Sequence, residues 1–206
     1  MLFNILALTS LLTITLLLRK LVNIFPSAMA CLIRWKESLN IDASVKLQRD
    51  RNYIALALII PFCLSCYRFG LYSPSFISRA GEDSGILLTI AIFVIYILLR
   101  MLTVRFTRPV KMNPKVFHAA STCSHTFFIM LALVNLTTGG ILSFLDLDHG
   151  IIKNTMIWLS AGIYIIFLIR KMQIFQSSCS IFAAFLYLCA LEILPTGVLI
   201  ASAVIF

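Results

Sequence analysis

Charged side chains are scarce in this sequence. Asp, Glu, Lys and Arg together make up 12% of its 206 residues, about half of the share that a soluble globular domain carries. Hydrophobic residues supply 61%, and the mean hydropathy is +1.01. Such a composition excludes a soluble fold, and the length leaves no room for a second soluble domain. We therefore predict a single transmembrane domain over residues 1–206.

Catalytic signatures are also missing. The sequence contains no GxGxxG, GxxxxGK[ST], HExxH or GxSxG pattern, which are the patterns of dinucleotide sites, phosphate loops, zinc proteases and serine hydrolases. No reaction is therefore indicated. We predict a protein without enzymatic activity, without a cofactor and without a bound metal.

Acidic residues are few, eight against 17 basic ones, and the net charge is +9. A basic surplus often indicates nucleic-acid binding. Here, however, the basic residues lie in the short gaps between apolar runs, where they orient a membrane protein instead. We predict no nucleic-acid partner, and we expect the basic residues to face the anionic head groups of a lipid bilayer.

Long apolar runs are the main feature that the sequence does have. A transmembrane helix needs about 20 mostly apolar residues, although about 17 can suffice. The run at residues 2–18 has no basic segment before it and no small-residue cleavage site after it, which indicates a retained helix rather than a signal peptide. The sequence thus predicts an all-α, polytopic helical bundle with about six spans: 2–18, 53–72, 85–102, 116–145, 151–169 and 177–205.

The distribution of Lys and Arg predicts the orientation. If both termini lie outside, the cytoplasmic loops are 19–52, 100–115 and 170–176, and they hold 14 of the 17 basic residues. Cytoplasmic loops of membrane proteins carry such an excess. The basic loops are therefore predicted to be cytoplasmic.

Two of these loops are predicted to contact lipid. In the first, Arg34, Trp35 and Lys36 lie among apolar residues of the segment 27–39, which predicts an amphipathic helix in the membrane interface; a solvated loop is the alternative. The second loop has no acid and contacts either anionic lipid or an acidic partner. Its basic residues are Arg100, Arg105, Arg108, Lys111 and Lys115.

Glu192 is the most conspicuous polar position. It lies roughly 22 Å into the last predicted span, where a carboxylate is costly unless it is protonated, paired or hydrated. Pro195 removes the N–H that would bond the Leu191 carbonyl, so a freed carbonyl lies beside the carboxyl group. Three interpretations remain open: a buried pair with Arg68, a proton or cation site, and an interfacial carboxylate that reaches water.

Histidines and cysteines offer weaker candidates. His118 and His125 are seven residues apart and share one face of the fourth predicted helix, so they could bind haem iron or relay protons. Cys63 and Cys66 form a CxxC near the outer end of the second span, a spacing that is used in redox proteins. Structural roles are the alternative for all four residues.

The fourth predicted span is rich in small polar residues. Hydroxyl and amide side chains commonly bond helices to one another in membranes, and they could equally line a hydrated path. The set comprises Ser121, Thr122, Ser124, Thr126, Asn135, Thr137 and Thr138.

A ten-residue stretch, LYLCALEILP at residues 186–195, is the most distinctive in the chain. It resembles the C-terminal signature of a bacterial family of polytopic membrane proteins, domain of unknown function 4271. The resemblance implies a bacterial inner-membrane location and no known activity. It also marks Tyr187, Cys189, Glu192 and Pro195 as one unit.

Three function classes follow. The first is an accessory or scaffold subunit of a larger inner-membrane complex, with other membrane-protein subunits as partners. The second is a small transporter, or a proton- or cation-coupled protein that uses Glu192. The third, a membrane redox or haem protein, depends on the histidines and the CxxC pair.

Overall fold

The predicted all-α bundle is confirmed. A computed structural model describes residues 2–79, 81–106 and 114–205, and this part of the chain is helical with no strand. Five helices are long and apolar enough to cross a membrane, as in a multi-pass membrane protein. They cover residues 2–33, 82–105, 116–144, 149–176 and 181–203.

The helices follow one another with short connections. Their bounds are α1 (Leu2–Ile33), α2 (Lys36–Ala43), α3 (Val45–Ala57), α4 (Ile59–Arg68), α5 (Ser75–Arg79), α6 (Glu82–Phe106), α7 (Pro114–Phe144), α8 (His149–Gln176), α9 (Ile181–Leu188) and α10 (Leu194–Ile205). A π turn, Cys189–Ile193, joins α9 to α10 without a break.

The first helix is longer than predicted. It runs through residues 2–33 with Pro26 inside it, so the predicted interfacial helix at 27–39 is wrong as a separate element. The helix continues past Pro26 because Ile24, Ala28 and Cys31 are buried and repeat at helical spacing. They form one apolar face on both sides of the proline.

The second predicted span, 53–72, is a kinked pair rather than one helix. Pro61 has no N–H to donate to the carbonyl of Ala57, one turn earlier, and α3 ends at that residue. Leu58 joins α3 to α4, which ends at Arg68. Each helix is too short to cross a bilayer alone. The predicted number of six spans therefore stays a prediction.

The two ends of the bundle differ in charge. The Leu2 N–H donates to Asp83 Oδ1 at 3.2 Å, which brings the first residues of α1 and α6 to one end; we call it the acidic end. Arg170 Nε donates to the carbonyl of Leu32 at 2.9 Å, which brings the last turns of α1 and α8 to the opposite, basic end. Which end faces the cytoplasm stays a prediction.

The central pair of the bundle is the antiparallel hairpin of α7 and α8. Asp148 caps α8 by accepting a bond from Gly150 N–H, which favours a helix start at that point. Midway along the pair, Asn135 and Ser160 bond each other at 2.9 and 3.2 Å. Asn135 is fully buried, so the polar glue predicted for this helix is present there.

Gly139 allows a close approach near the acidic end of this hairpin. A Cβ atom placed on it would lie 2.8 Å from Phe69 Cε2 and 3.4 Å from Met156 Cε, whereas a Cβ on Gly140 would meet nothing within 4 Å. Phe69 and Met156 are buried, so neither ring nor thioether has free space to move into.

The two neighbouring glycines are therefore expected to respond oppositely to alanine. Gly139→Ala should lower the unfolding free energy by about 1–2 kcal/mol, because overpacking outweighs the gain in helix propensity. Gly140→Ala should leave it unchanged or raise it by up to about 1 kcal/mol. Thermal unfolding in detergent, followed by helical circular dichroism, measures both; equal shifts would contradict the close packing at Phe69.

The last helix starts later than predicted. Ser180 accepts a bond from Ala183 N–H and caps α9, which begins at Ile181 rather than at residue 177. Glu192 therefore lies only about 16 Å from the start of the helix. It is placed near the middle of the 181–205 helix, instead of in its outer half.

Candidate functional site

The candidate site is a buried triad of charged residues on three helices. Glu192 Oε1, in the π turn, accepts from Arg100 Nη2 of α6 at 2.5 Å and from Lys171 Nζ of α8. The side chains of Lys171 and Glu192 are 0% and 2% exposed, and that of Arg100 is 19% exposed. We call these three residues the triad. It ties the middle of the last helix to the basic halves of α6 and α8.

The π turn explains how Glu192 comes to face the bundle. Because Pro195 has no N–H, the Leu191 carbonyl cannot receive the usual bond from four residues later. The Leu194 N–H instead donates to the carbonyl of Cys189, five residues earlier. The widened turn rotates Glu192 inward, and π bulges often occur at functional positions. The predicted irregularity beside Glu192 and Pro195 is thus present.

Two aromatic rings line the cations of the triad. The Phe167 ring lies 6.0 Å from Arg100 Cζ and 5.6 Å from Lys171 Nζ, and the Phe175 ring lies 5.7 Å from Lys171 Nζ. Each such contact stabilises a cation by about 0.5–2 kcal/mol. That is less than the several kcal/mol that desolvating one ion costs. The rings therefore offset only part of the desolvation free energy of the two buried cations.

Arg68 is not the partner of Glu192, which corrects the pairing proposed from the sequence. Arg68 lies at the end of α4, with its Cζ 5.9 Å from the ring of Phe3 at the start of α1. Phe3 belongs to the acidic end of the bundle. The pairing failed because it placed Glu192 too close to that end, whereas both of its real partners come from the basic halves of their helices.

Hydroxyl groups continue from the triad along the last helix. The Tyr164 hydroxyl donates to the backbone carbonyl of Glu192 at 3.2 Å, and Tyr96 and Thr196 share a bond of 3.1 Å. Nearer the acidic end, Tyr72 and Ser202 bond at 2.8 Å. Two hydroxyls of α10, those of Thr196 and Ser202, thus bond tyrosines of the bundle. Sequence reasoning missed the tyrosines because tyrosine is common in membrane helices.

A second polar network joins α2, α3 and α7. Asp42 forms an ion pair with Arg51 at 2.8 Å and accepts from Thr122 Oγ1 at 2.7 Å. Arg51 Nε donates to Asn52 Oδ1 at 3.4 Å, and His125 Nδ1 lies 3.1 Å from the same oxygen. The Arg51 side chain is 1% exposed. The network therefore holds α2 and α3 against α7.

Both predicted histidines belong to this second network. His118 Nδ1 lies 3.9 Å from Asp42 Oδ2, and His125 bonds Asn52. Their shared helix face is confirmed, and it meets α2 and α3. No group of three His, Cys, Asp or Glu side chains arranged to hold a metal occurs in the described ranges.

The cysteines of the CxxC motif are packed inside α4. Cys63 and Cys66 are 1% and 2% exposed, so the pair lacks the open surface that thiol exchange requires. Cys179, in the turn between α8 and α9, is partly exposed, and burial raises the pKa of its thiol. A reactive thiolate is therefore not favoured at either place.

The remaining predicted residues have structural surroundings. Tyr187 packs against Phe175, with ring centroids 6.2 Å apart. Trp35 packs beside the apolar cluster of α7 and α8, with Lys36 Nζ 5.8 Å from its ring. Arg34 and Arg105 are exposed at the basic end. Arg108 and Lys111 lie outside the described residues, as does the side chain of Lys115.

Comparison of the chain with protein-family models, with curated proteins and with solved structures gives no match. The resemblance to domain of unknown function 4271 stays a prediction, which rests on residues 186–195.

Proposed function

We propose that this chain is a non-catalytic accessory or scaffold subunit of a larger membrane assembly. The observation that carries the proposal is the construction of the triad. Glu192 is 1% exposed and is bonded by cations from two other helices. A group enclosed in this way holds helices together and offers no open position to a substrate.

The second network supports the same interpretation. Asp42 bonds both Arg51 and Thr122 and so links three helices. The cavity between α1, α3 and Leu58 has a volume of about 10 Å³, too little for more than a single water. A wider depression of about 420 Å³ lies beside Arg49 and Asn52, but it is open at the surface of α3. A network that links helices in this way suits a structural component.

We place the protein in the bacterial inner membrane, as a multi-pass protein with its basic end at the cytoplasmic, anionic face. Support comes from the five apolar helices, from the bias of Lys and Arg, and from the resemblance of residues 186–195. The expected partners are other membrane-protein subunits and the lipid bilayer.

Proton- or cation-coupled transport through Glu192 is the second candidate. The hydroxyls of Tyr164, Tyr96 and Thr196 beside the π turn favour it, because such groups can relay protons or ligate cations. A redox or haem role receives less support, since Cys63 and Cys66 are buried.

The test is a mild-detergent purification of the tagged chain from its native membrane, with mass spectrometry of the proteins that accompany it. A subunit should bring stoichiometric partners that survive gel filtration. A chain that elutes alone would contradict the subunit role. Flux in proteoliposomes that Glu192→Gln abolishes, at unchanged helical content, would then establish the transport alternative.

A further inference from the structure

One face of α3 carries a depression that opens away from the bundle. Its volume is about 420 Å³, within the range of about 300–1,000 Å³ that ligand clefts occupy. The lining consists of Val45, Gln48, Arg49, Asn52 and Tyr53. These residues recur at helical spacing and so share one face of α3, whereas the buried residues of α3 lie on its other side. The depression is therefore open to whatever surrounds the bundle at this level.

The lining offers hydrogen-bond donors and a positive charge. Arg49 contributes its guanidinium group and Tyr53 its hydroxyl group, while Gln48 and Asn52 contribute amide N–H groups. Within the ranges that the structure describes, these donor groups bond no other residue, since Asn52 is engaged only through its Oδ1. The lining itself contains no carboxylate. A charged donor and neutral donors without an acid among them suit an anion.

Lys20 of α1 brings a second cation to the edge of the depression. Its Nζ lies 5.1 Å from the centre of the Tyr53 ring and 3.6 Å from Asp50 Oδ1. The Lys20 side chain is 44% exposed, against 11% for Asp50. This edge of the depression thus presents the cation, rather than the carboxylate that pairs with it, to a ligand.

The contacts of α3 with α1 and α7 give the depth of the depression. Lys20 lies about 27 Å from Leu2 at the acidic end. His125 lies about 29 Å from Phe144, where α7 ends at the acidic end. A hydrocarbon core about 30 Å thick that begins at the acidic end therefore ends close to both residues. Because both contact the middle of α3, the depression lies at the level of the lipid head groups on the basic side.

Apolar surface continues from the depression toward the acidic end. Leu56, one turn after Asn52, is 68% exposed, and Ile60, one turn further, is 39% exposed. Tyr53 has an apolar ring and a polar hydroxyl, as is common for residues at the boundary between membrane and water. The surface thus matches a ligand that has an anionic head and a hydrocarbon tail.

We propose that the depression on α3 binds an anionic phospholipid, whose phosphate bonds Arg49 and whose acyl chains lie along Leu56 and Ile60. A cation near the membrane surface raises the affinity for anionic lipid by about fivefold. The hydrogen-bond donors of the lining hold the phosphate at one place, and the exposed apolar residues distinguish a lipid from a soluble phosphate. The site does not depend on the proposed subunit function.

The test is native mass spectrometry of the delipidated chain in a nonionic detergent. The chain is titrated with phosphatidylglycerol or with phosphatidylcholine of the same acyl chains, so the two lipids differ in the net charge of the head group. We expect wild type to bind the first phosphatidylglycerol at least about fivefold more tightly than the first phosphatidylcholine. Equal affinities would overturn the proposal.

Two neighbouring substitutions should act in opposite directions. Arg49→Gln removes the charged contact and should abolish the preference for phosphatidylglycerol. Asp50→Asn removes the anion beside the site and should strengthen phosphatidylglycerol binding about twofold to fivefold. Asp50→Asn variants that bind phosphatidylglycerol more weakly than wild type would contradict the placement of the phosphate at Arg49.

Arg105→Gln is the matched control, because Arg105 is exposed in the last turn of α6 at the basic end and lies outside the depression. It should keep the preference of wild type, and helical circular dichroism should show that all three variants fold. If Arg105→Gln lost the preference as Arg49→Gln does, the lipid would be held by the general basic charge, and the site would be refuted.

Glycerol phosphate, which carries the charge but no acyl chains, separates a lipid site from a site for soluble phosphate. At the concentration of the bound lipid it should displace no phosphatidylglycerol, because it makes no contact with Leu56 and Ile60. Displacement as effective as that by phosphatidylglycerol itself would overturn the assignment to a lipid. A chain that elutes without partner proteins would refute the subunit role and leave this result unchanged.

Discussion

Glu192→Gln is expected to lower the unfolding free energy of the chain by about 3–5 kcal/mol. The change leaves the cations of Lys171 and Arg100 beside each other without a counter-charge, and both side chains are largely or fully buried. Breaking a buried ionic cluster by removing its only anion leaves charge in a medium that cannot solvate it. The measurement is unfolding in mixed micelles, followed by helical circular dichroism.

Lys171→Met is the matched comparison. It removes one cation of similar length and leaves the Arg100–Glu192 pair balanced, so stability should be unchanged or slightly higher. In the double variant with Glu192→Gln, part of the lost stability should return, because a single cation then remains. If Lys171→Met destabilised the chain as much as Glu192→Gln does, Lys171 would be as necessary to the triad as Glu192.

Asp42→Asn is expected to lower the unfolding free energy of the chain by about 3 kcal/mol. It leaves the guanidinium of Arg51, whose side chain is 1% exposed, without the carboxylate that lies 2.8 Å away. It also replaces the charged acceptor of Thr122. Because the network joins α2 and α3 to α7, hydrogen exchange of the amides in residues 36–57 should speed up more than in α8.

Asp50→Asn is the control, with the same chemical change in the neighbouring helix. Asp50 pairs with Lys20 at 3.6 Å, and the Lys20 side chain is 44% exposed. A lysine with that access to solvent keeps its hydration when the carboxylate is removed, so the expected cost is below about 1 kcal/mol. Equal losses of unfolding free energy in Asp42→Asn and Asp50→Asn would mean that the burial of Arg51 does not contribute to the effect of its ion pair on stability.

The all-α class and the importance of Glu192 could be predicted from the sequence. Apolar runs indicate membrane helices by length alone, and a carboxylate inside such a run is unusual enough to stand out. Pro195 also predicts an irregular backbone at this point, because it has no N–H to donate to a helical hydrogen bond. These conclusions depend on one segment at a time, which is the kind of information that a single sequence holds.

The partners of Glu192 could not be found in that way. The sequence places Lys171 and Arg100 in predicted loops, because charged residues mark the predicted ends of the spans. In the structure α8 continues to Gln176 and α6 to Phe106, so both cations lie inside helices. Helix ends depend on packing against neighbours as well as on composition, and this decided which charges meet.

The network of Asp42, Arg51 and Thr122 could not be predicted from the sequence for a related reason. His118 and His125 were correctly placed on one helix face, but Asp42 and Asn52 fell in a segment predicted as a loop. That segment forms α2 and α3, with a break at Ser44. Its polar face carries little apolar periodicity, because its partners are ionic and hydrogen-bonding groups of α7 rather than a hydrophobic core.

The π turn has a consequence for how the last helix tolerates change. One extra residue in a helical turn shifts the phase of everything after it by about 100°. Removing a single residue from 189–193 would leave Ala184 and Leu188 in the core, yet it would swing Thr196 and Ser202 away from Tyr96 and Tyr72. The two halves of this helix are thus in different angular registers, and the segment between them is fixed in its length as well as at Glu192.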